Sequence, residues 1–449
     1  MNEQKNPATG LIYGVDDRPP LRDSAFAAFQ HLLAIFVAII TPPLIIAKAL
    51  SLDLAMTGFL VSMSLFASGI ATFIQCHRFG RVGCGMLCVQ GTSFSFIGPL
   101  ISIGMVGGLP LVFGACMLGA PVEVIVSCTF RYLRRIITPL VSGIVVMLIG
   151  LTLIKAGVTA CGGGDASAPD FGSPQNLLVA GVVLVSVIFF NNIGNKYLRM
   201  SSIFLGVVIG YILAYFLGMV DLSAVDASMF KSFNVPMPFK YGFKVNVSSV
   251  IAVGIVYLVT AIEATGDVTA NSMISGLPVK GQEYIRRVSG GVMADGINSF
   301  IAGVFSSFPN SIFAQNNGII QLTGVASRYV GYFIAVMLVL LGLFPAVGIA
   351  FSLMPSPVLG GATLLMFGTV AAAGVRIVAS QQLGRKSVLV LASSLAFGMG
   401  VELMPDVLRQ MPDSVRTIFS SGITTGGLVA ILLNAALHIK ELKPNKNNQ

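Results

Sequence analysis

Apolar residues along this chain do not alternate with polar ones. They come in long runs, from residue 25 to residue 438, separated by charged, proline or glycine clusters. Many runs approach the ~20 residues that cross a bilayer as a helix. Helices are the expected form, because a helix satisfies its own backbone hydrogen bonds in lipid, whereas a β-barrel would show shorter alternating segments. The runs give about fourteen spans, near 25–47, 56–76, 83–105, 111–130, 136–157, 176–193, 202–220, 248–270, 287–306, 310–326, 329–351, 357–378, 386–403 and 420–438. The expectation is an all-α integral membrane protein.

Composition agrees: 55% of the 449 residues are hydrophobic and 10% are charged. Mean hydropathy is +0.87. A soluble domain carries roughly 25% charged residues. The first 22 residues hold Glu3, Asp16, Asp17, Pro19 and Pro20 where a signal peptide would place its apolar region, so residues 1–24 are expected to be a polar leader. Cys76, Cys84, Cys88, Cys116, Cys128 and Cys161 lie mostly in or beside apolar runs, and the Cys84/Cys88 pair lacks the further ligands of a zinc site. No metal or cofactor is expected. The net charge of +9 comes from basic residues scattered singly rather than gathered in a patch, which argues against nucleic acid. Their spacing instead follows membrane topology. With a cytoplasmic N-terminus, 20 of the 27 Lys and Arg residues fall on inner connections and tails and 7 outside, as the positive-inside rule requires. Both termini are then cytoplasmic.

The chain also repeats itself. "TPLVSGIVVMLIG" (Thr138 to Gly150) aligns without gaps on "SPVLGGATLLMFG" (Ser356 to Gly368), matching Pro139 with Pro357, Gly143 with Gly361 and Gly150 with Gly368 at an offset of 218 residues. This carries the fifth span onto the twelfth. Each repeat then holds seven spans, and an odd number makes the two halves inverted. Secondary transporters are built this way, with sites near the midplane where helices are broken.

A buried ionisable side chain costs at least ~2.5 kcal/mol on insertion scales, so acids inside spans need a partner, a wet cavity or a task. The eighth span, "VGIVYLVTAIEATGDVTANS", places Glu263 and Asp267 four residues apart on one helix face. Two such carboxylates resist ionising together, so one can hold a proton near neutral pH, as proton-coupled transport requires. The competing reading leaves Asp267 in the headgroup region. Asp295 lies about two turns into the ninth span; it pairs across the bundle or assists the eighth-span acids. His31, early in the first span, reads as a hydrogen-bonded packing residue.

Two spans are interrupted. The third reads "CVQGTSFSFIGPL", and the tenth reads "FPNSIFAQNNGIIQLTG", with Pro309 at its start and Gly318 in its interior. Each is expected to run as a short extended strand into a half helix, a backbone tolerated at membrane depth only where protein or a cavity satisfies it. Brought together, the breaks would present backbone N–H groups and two helix N-termini, with Phe94 at one tip and Gln315 at the other. This is a poor cage for a bare ion, which wants several close oxygens. It suits a flat heterocycle: Gln315 can pair with an HN–C=O edge, Glu263 can accept from ring N–H groups, and Phe94 can stack.

The run Gln315-Asn316-Asn317-Gly318-Ile319-Ile320-Gln321-Leu322-Thr323-Gly324 resembles the Gln-Asn-x-Gly-x4-Thr signature of the nucleobase/ascorbate transporter family. Similarity extends through "DRPP", "QHLLAIF", "RRIITPLVSGIVVM", "GDVTA" and "LGLFPAV", and looks nearest to the bacterial xanthine permeases. The resemblance implies a proton symporter of the bacterial inner membrane, often a homodimer surrounded by lipid. Its core domain would comprise residues 25–130 and 248–351, and its gate domain residues 131–222 and 352–438. An extracytoplasmic connection (223–247) would join the halves, and a cytoplasmic tail (439–449) would close the chain. It puts the substrate-binding acid on Glu263, the signature glutamine on Gln315 beside Ala314, and the stacking and backbone contacts on Phe94. The supporting or proton-coupling positions fall on Asp267, Asp295, His31, Asn316 and Gly318. Some xanthine permeases carry asparagine where Ser93 stands, and a smaller residue there is expected to admit a purine larger at its imidazole end, such as urate. The substrate expected is xanthine, with urate or another purine as the alternative. An anion exchanger of the same architecture is a weaker alternative, because Glu263 would repel its cargo. No nucleophile-base pair or metal cluster suggests an enzyme.

Overall fold

The computed structural model describes residues 11–133, 138–195, 198–199, 201–220 and 234–437. The expected tail, the first ten residues of the leader, residues 223–233 of the connection, and Arg134 and Arg135 lie outside the described residues.

Among the described residues, the regular structure is helical apart from two three-residue strands. In order it forms α1 (Leu21–Ala49), α2 (Leu54–His77), β1 (Gln90–Thr92), a 3-10 turn (Phe94–Phe96), α3 (Ile97–Gly119), α4 (Pro121–Leu133), α5 (Pro139–Gly162), α6 (Pro174–Asn192) and α7 (Ser202–Phe216). The second half continues with α8 (Val247–Ile274), α9 (Gln282–Val304), β2 (Asn310–Ile312), α10 (Gln315–Thr323), α11 (Arg328–Leu343), α12 (Pro345–Ser352), α13 (Ser356–Ala379), α14 (Arg385–Leu403), α15 (Asp413–Phe419) and α16 (Gly422–Leu437).

Local sequence explains several boundaries. The Asp53 carboxylate accepts the Met56 N–H at 2.7 Å and opens α2, and the Asn246 amide oxygen accepts the Ser248 N–H at 2.9 Å and opens α8. Thr138 caps α5 with Pro139 in its first turn. Gly108, at φ 67° and ψ −171°, breaks α3 just before Pro110.

Among the described residues, eight helical stretches are long and apolar enough to cross a membrane, or nine if the bent pair α11–α12 (75°) counts as one. That is fewer than the expected fourteen spans, for local reasons. Phe94–Phe130 runs two expected spans together across Gly108. α7 and α16 are shorter apolar helices. The tenth expected span is a strand followed by a nine-residue helix, and the single span expected at 329–351 bends between Leu343 and Pro345. The third span was expected from residue 83, but helix begins only at Phe94. The chain before it is held irregular by the left-handed glycines Gly80, Gly83 and Gly85.

α5 and α13, the two helices that carry the repeat, pack in opposite directions along much of their length. A Cβ on Gly150 would lie 2.2 Å from the Ala371 nitrogen, one on Gly374 2.3 Å from the Met147 nitrogen, and one on Gly360 2.3 Å from the Cys161 nitrogen. The small residues allow this backbone approach, as in membrane helix pairs generally. Large apolar side chains such as Phe189, Phe216 and Phe397 are exposed on the periphery, as a lipid-facing surface requires. The described part of the leader is tied down. Ile12 N–H donates to the Gly324 carbonyl (2.7 Å) and Ala326 N–H to that of Tyr13 (2.9 Å), while Arg328 pairs with Asp16 at 2.9 Å.

Candidate functional site

β1 and β2 pair antiparallel, with Gln90 opposite Ile312, Gly91 opposite Ser311 and Thr92 opposite Asn310. Two further bonds extend the ladder: Ser93 N–H donates to the Pro309 carbonyl (2.8 Å) and Phe313 N–H to that of Val89 (3.0 Å). Both strands are fully buried. Each break in the apolar pattern therefore satisfies the other's backbone inside the bundle. From this crossing the chain leaves on one side through the 3-10 turn into α3, and on the other through Ala314 into α10.

The 3-10 turn meets α8. Ser95 Oγ donates to Glu263 Oε2 at 3.4 Å. Phe94 is half-buried, lying nearly parallel to Phe313 (6.5 Å between centroids) and edge-on to Phe367 of α13 (5.4 Å). Ser93 beside it is buried. Asp267, one turn beyond Glu263, is half-buried, and its main-chain carbonyl accepts from Asn317 Nδ2 at 3.5 Å. The structure thus gathers Glu263, Asp267, Phe94, Ser93, Ala314 and Gln315 around the two tips. Gln315 is half-buried and Ala314 is exposed.

Three of the tip amides are already engaged. Ser93 N–H is spent in the ladder, and Asn316 and Asn317 N–H groups donate to the Phe313 and Ala314 carbonyls. The tips therefore offer fewer free donors than two bare helix ends would. Gly318 also departs from expectation. A glycine inside a broken span is expected to allow close backbone approach, yet a Cβ there would meet nothing within 4 Å. The close approach is found instead at Gly91, where a Cβ would fall 2.5 Å from the Phe313 ring. The strand crossing is the crowded place, while α10 turns Gly318 toward open space.

The supporting residues lie behind the crossing. Asn316 is fully buried and its Nδ2 donates to the Leu87 carbonyl at 2.5 Å. His31 is also fully buried and lies against Asn316, with neither ring nitrogen in good hydrogen-bond geometry. Asp295 does not reach the tips. Its Oδ1 accepts from Gln75 Nε2 at 3.0 Å and from Gln90 Nε2. Gln90 Oε1 in turn accepts from Asn298 Nδ2 at 2.8 Å, and Thr72 Oγ1 accepts the Gln90 N–H at 3.0 Å. A buried polar network thus grips the first residue of β1 from behind.

Gln75, Gln90, Asn298 and Thr72 were absent from the residues expected to matter, and so was Glu123 of α4. Glu123 is fully buried, and its Oε1 accepts from Thr260 Oγ1 at 2.6 Å. A signal was available for it. A glutamate within "APVEVIVSC" carries the same insertion cost that drew attention to Glu263.

Known proteins share both sequence and fold. The Permease family model Xan_ur_permease matches residues 22–407. The xanthine permease XanP of Escherichia coli (strain K12) is 50% identical over 435 residues, 94% of this chain and 94% of that protein. The xanthine permease XanQ of the same strain is 45% identical over 448 residues, 97% of this chain and 96% of that protein. Among solved structures, the transmembrane domain of the cyanobacterial bicarbonate transporter BicA superimposes with a TM-score of 0.55 at 13% identity, covering 94% of this chain and 99% of that one. At that identity the likeness is one of fold.

Proposed function

The chain belongs to this permease family, and from that membership we propose that it imports a purine nucleobase, xanthine first, by alternating access coupled to protons. The observation that supports the reading is the crossing of β1 and β2, from which one strand leads to Phe94 and the Ser95–Glu263 bond and the other to Gln315. Glu263 accepts from ring N–H groups, the Gln315 amide pairs with an HN–C=O edge, and Phe94 covers the ring face. Glu263 and Asp267 resist ionising together in a site this dry, so a proton held among the site's carboxyls travels with the substrate.

Fourteen segments in two inverted sevens account for the antiparallel packing of α5 on α13 and for the crossed strands. On this reading the core (α1–α4 and α8–α12) moves against the gate (α5–α7 and α13–α16). The Phe94–Phe367 contact marks where they meet at the site. Both termini are cytoplasmic, the membrane is the bacterial inner membrane, and the protein works as a homodimer.

The fold shared with a bicarbonate transporter raises anion exchange as a second reading. Glu263 argues against it, since a carboxylate facing the site repels an anion. Competition of radiolabelled xanthine uptake by a panel of purines, pyrimidines and inorganic anions, with and without a protonophore, tests the proposal. Inhibition by purines and collapse with the protonophore are expected. Uptake that ignores purines but responds to bicarbonate would overturn it.

A further inference from the structure

We propose that Glu123 is the carboxyl on which the coupled proton resides while Glu263 holds the substrate. The inference rests on the proton-symport reading and names a residue for it.

Glu123 projects from α4 into a fully buried position between α8 and α9. On the α9 side the packing is tight: a Cβ on Gly296 would lie 3.0 Å from the Glu123 Cβ. On the α8 side Thr260 donates to Oε1 at 2.6 Å, while Oε2 has no partner. A carboxylate with one oxygen bare and buried is costly, and a carboxylic acid at that position costs less.

Among the described residues, no ion pair offsets the charge. The titratable groups facing Glu123 are Glu263 and Tyr257 of α8 and Asp295 of α9, all within its electrostatic reach, with Cys116 of α3 behind Tyr257. Tyr257 already donates to the Cys116 carbonyl at 3.0 Å, and Asp295 is held by Gln75 and Gln90. The ion pairs among the described residues, Arg78–Glu283, Arg287–Glu283 and Arg328–Asp16, do not include Glu123.

Thr260 and Glu263 are three residues apart on one face of α8. The hydroxyl that binds Glu123 is thus one helical turn from the acid that meets the substrate. When Glu263 is ionised to accept a purine N–H, a second negative charge at Glu123 is disfavoured, and Glu123 takes a proton. An O–H bond forms at Oε2 with a proton from the outer side. It breaks when substrate leaves inward, the proton passing to water on the inner side, and Glu263 stays ionised through both events. No other bond changes.

The test compares Glu123→Gln with native protein in energised vesicles loaded or unloaded with xanthine. The amide keeps an acceptor for Thr260 and cannot titrate. Concentrative uptake is expected to fall to the equilibrative level, while xanthine counterflow persists and substrate affinity loses its pH dependence. Native-like accumulation by Glu123→Gln would overturn the inference. Thr260→Val supplies an independent arm, because Thr260 donates to the charged form. Its loss favours the protonated acid and is expected to shift the uptake–pH profile toward higher pH. An unchanged profile also counts against the proposal. If native uptake itself resists a protonophore, the symport reading fails; if native uptake collapses and Glu123→Gln still accumulates, only the role of Glu123 fails.

Discussion

The two tips of the crossed breaks look equivalent in the sequence pattern and are built differently. The first, around β1 and Phe94, is gripped from behind: Gln90 is held by Asp295, Asn298 and Thr72, and the chain continues into a 23-residue helix. The second, around β2 and Gln315, is held by side chain-to-backbone bonds rather than by a side-chain network. Ser299 and Asn310 exchange hydrogen bonds at 3.0 and 3.2 Å, and Asn316 reaches Leu87. It continues into a nine-residue helix that ends at the left-handed Gly324 and leaves Ala314 and Gly318 open. One tip is an anchored wall and the other a presenting edge. Asymmetric support of this kind lets one side of a site stay fixed while the other meets the ligand.

The largest expected effect removes the acid that faces the first tip. Glu263→Gln keeps the size of the side chain and its bond to Ser95 but not the charge that accepts ring N–H groups. Accumulation should be abolished at an unchanged membrane level, both read by uptake and immunoblot; full uptake would remove Glu263 from the substrate.

Next comes the grip itself. Asp295→Ala leaves the Gln90 Nε2 without its acceptor in a buried place, at about 1–3 kcal/mol for the orphaned group, while Gln75 Nε2 keeps its bond to the Gly291 carbonyl (3.0 Å). Thermal unfolding in detergent should show a clear loss, and Asp295→Asn, which keeps an acceptor oxygen, a smaller one. Equal losses would mean that charge rather than hydrogen bonding holds β1.

At the presenting edge, Gln315→Asn shortens the reach of the amide by one methylene. A loss of one hydrogen bond, about 1 kcal/mol or roughly fivefold in affinity, is expected in a binding titration, with no loss of thermal stability. Unchanged affinity would take Gln315 out of contact.

The smallest effect on the fold belongs to Gly318→Ala. The added methyl meets open space, and alanine favours helix by up to about 1 kcal/mol over glycine. The melting temperature should hold or rise, while the pocket narrows and affinity for larger purines falls. A sharp fall in stability would show that α10 is packed where it is described as open.

Much of the site was legible because intramembrane polarity is costly. Glu263, Asp267, Gln315 and the two interruptions stand out against apolar runs for that reason. The buttress was less legible. Gln75 closes an apolar run as an ordinary amide, and Gln90 reads as one more polar residue of the break; neither shows by itself that it meets Asp295. Glu123 was legible on the same cost argument, but its bond to Thr260 joins positions 137 residues apart. Hydropathy alone did not show where the backbone turns, within the span expected at 329–351 between Leu343 and Pro345 and at Gly108 between the third and fourth expected spans.

By itself the chain determined that it lives in a membrane, that the segments forming α5 and α13 carry one repeated motif, and where two of its apolar runs break. Those are statements about solvation and periodicity, and each is written in consecutive residues. Only the tertiary structure decided which residues the breaks lean on, that Gly91 rather than Gly318 is the crowded glycine, and that the fully buried Glu123 stands against α8. Those depend on pairings between distant segments, which an apolar environment permits in many ways and packing reduces to one.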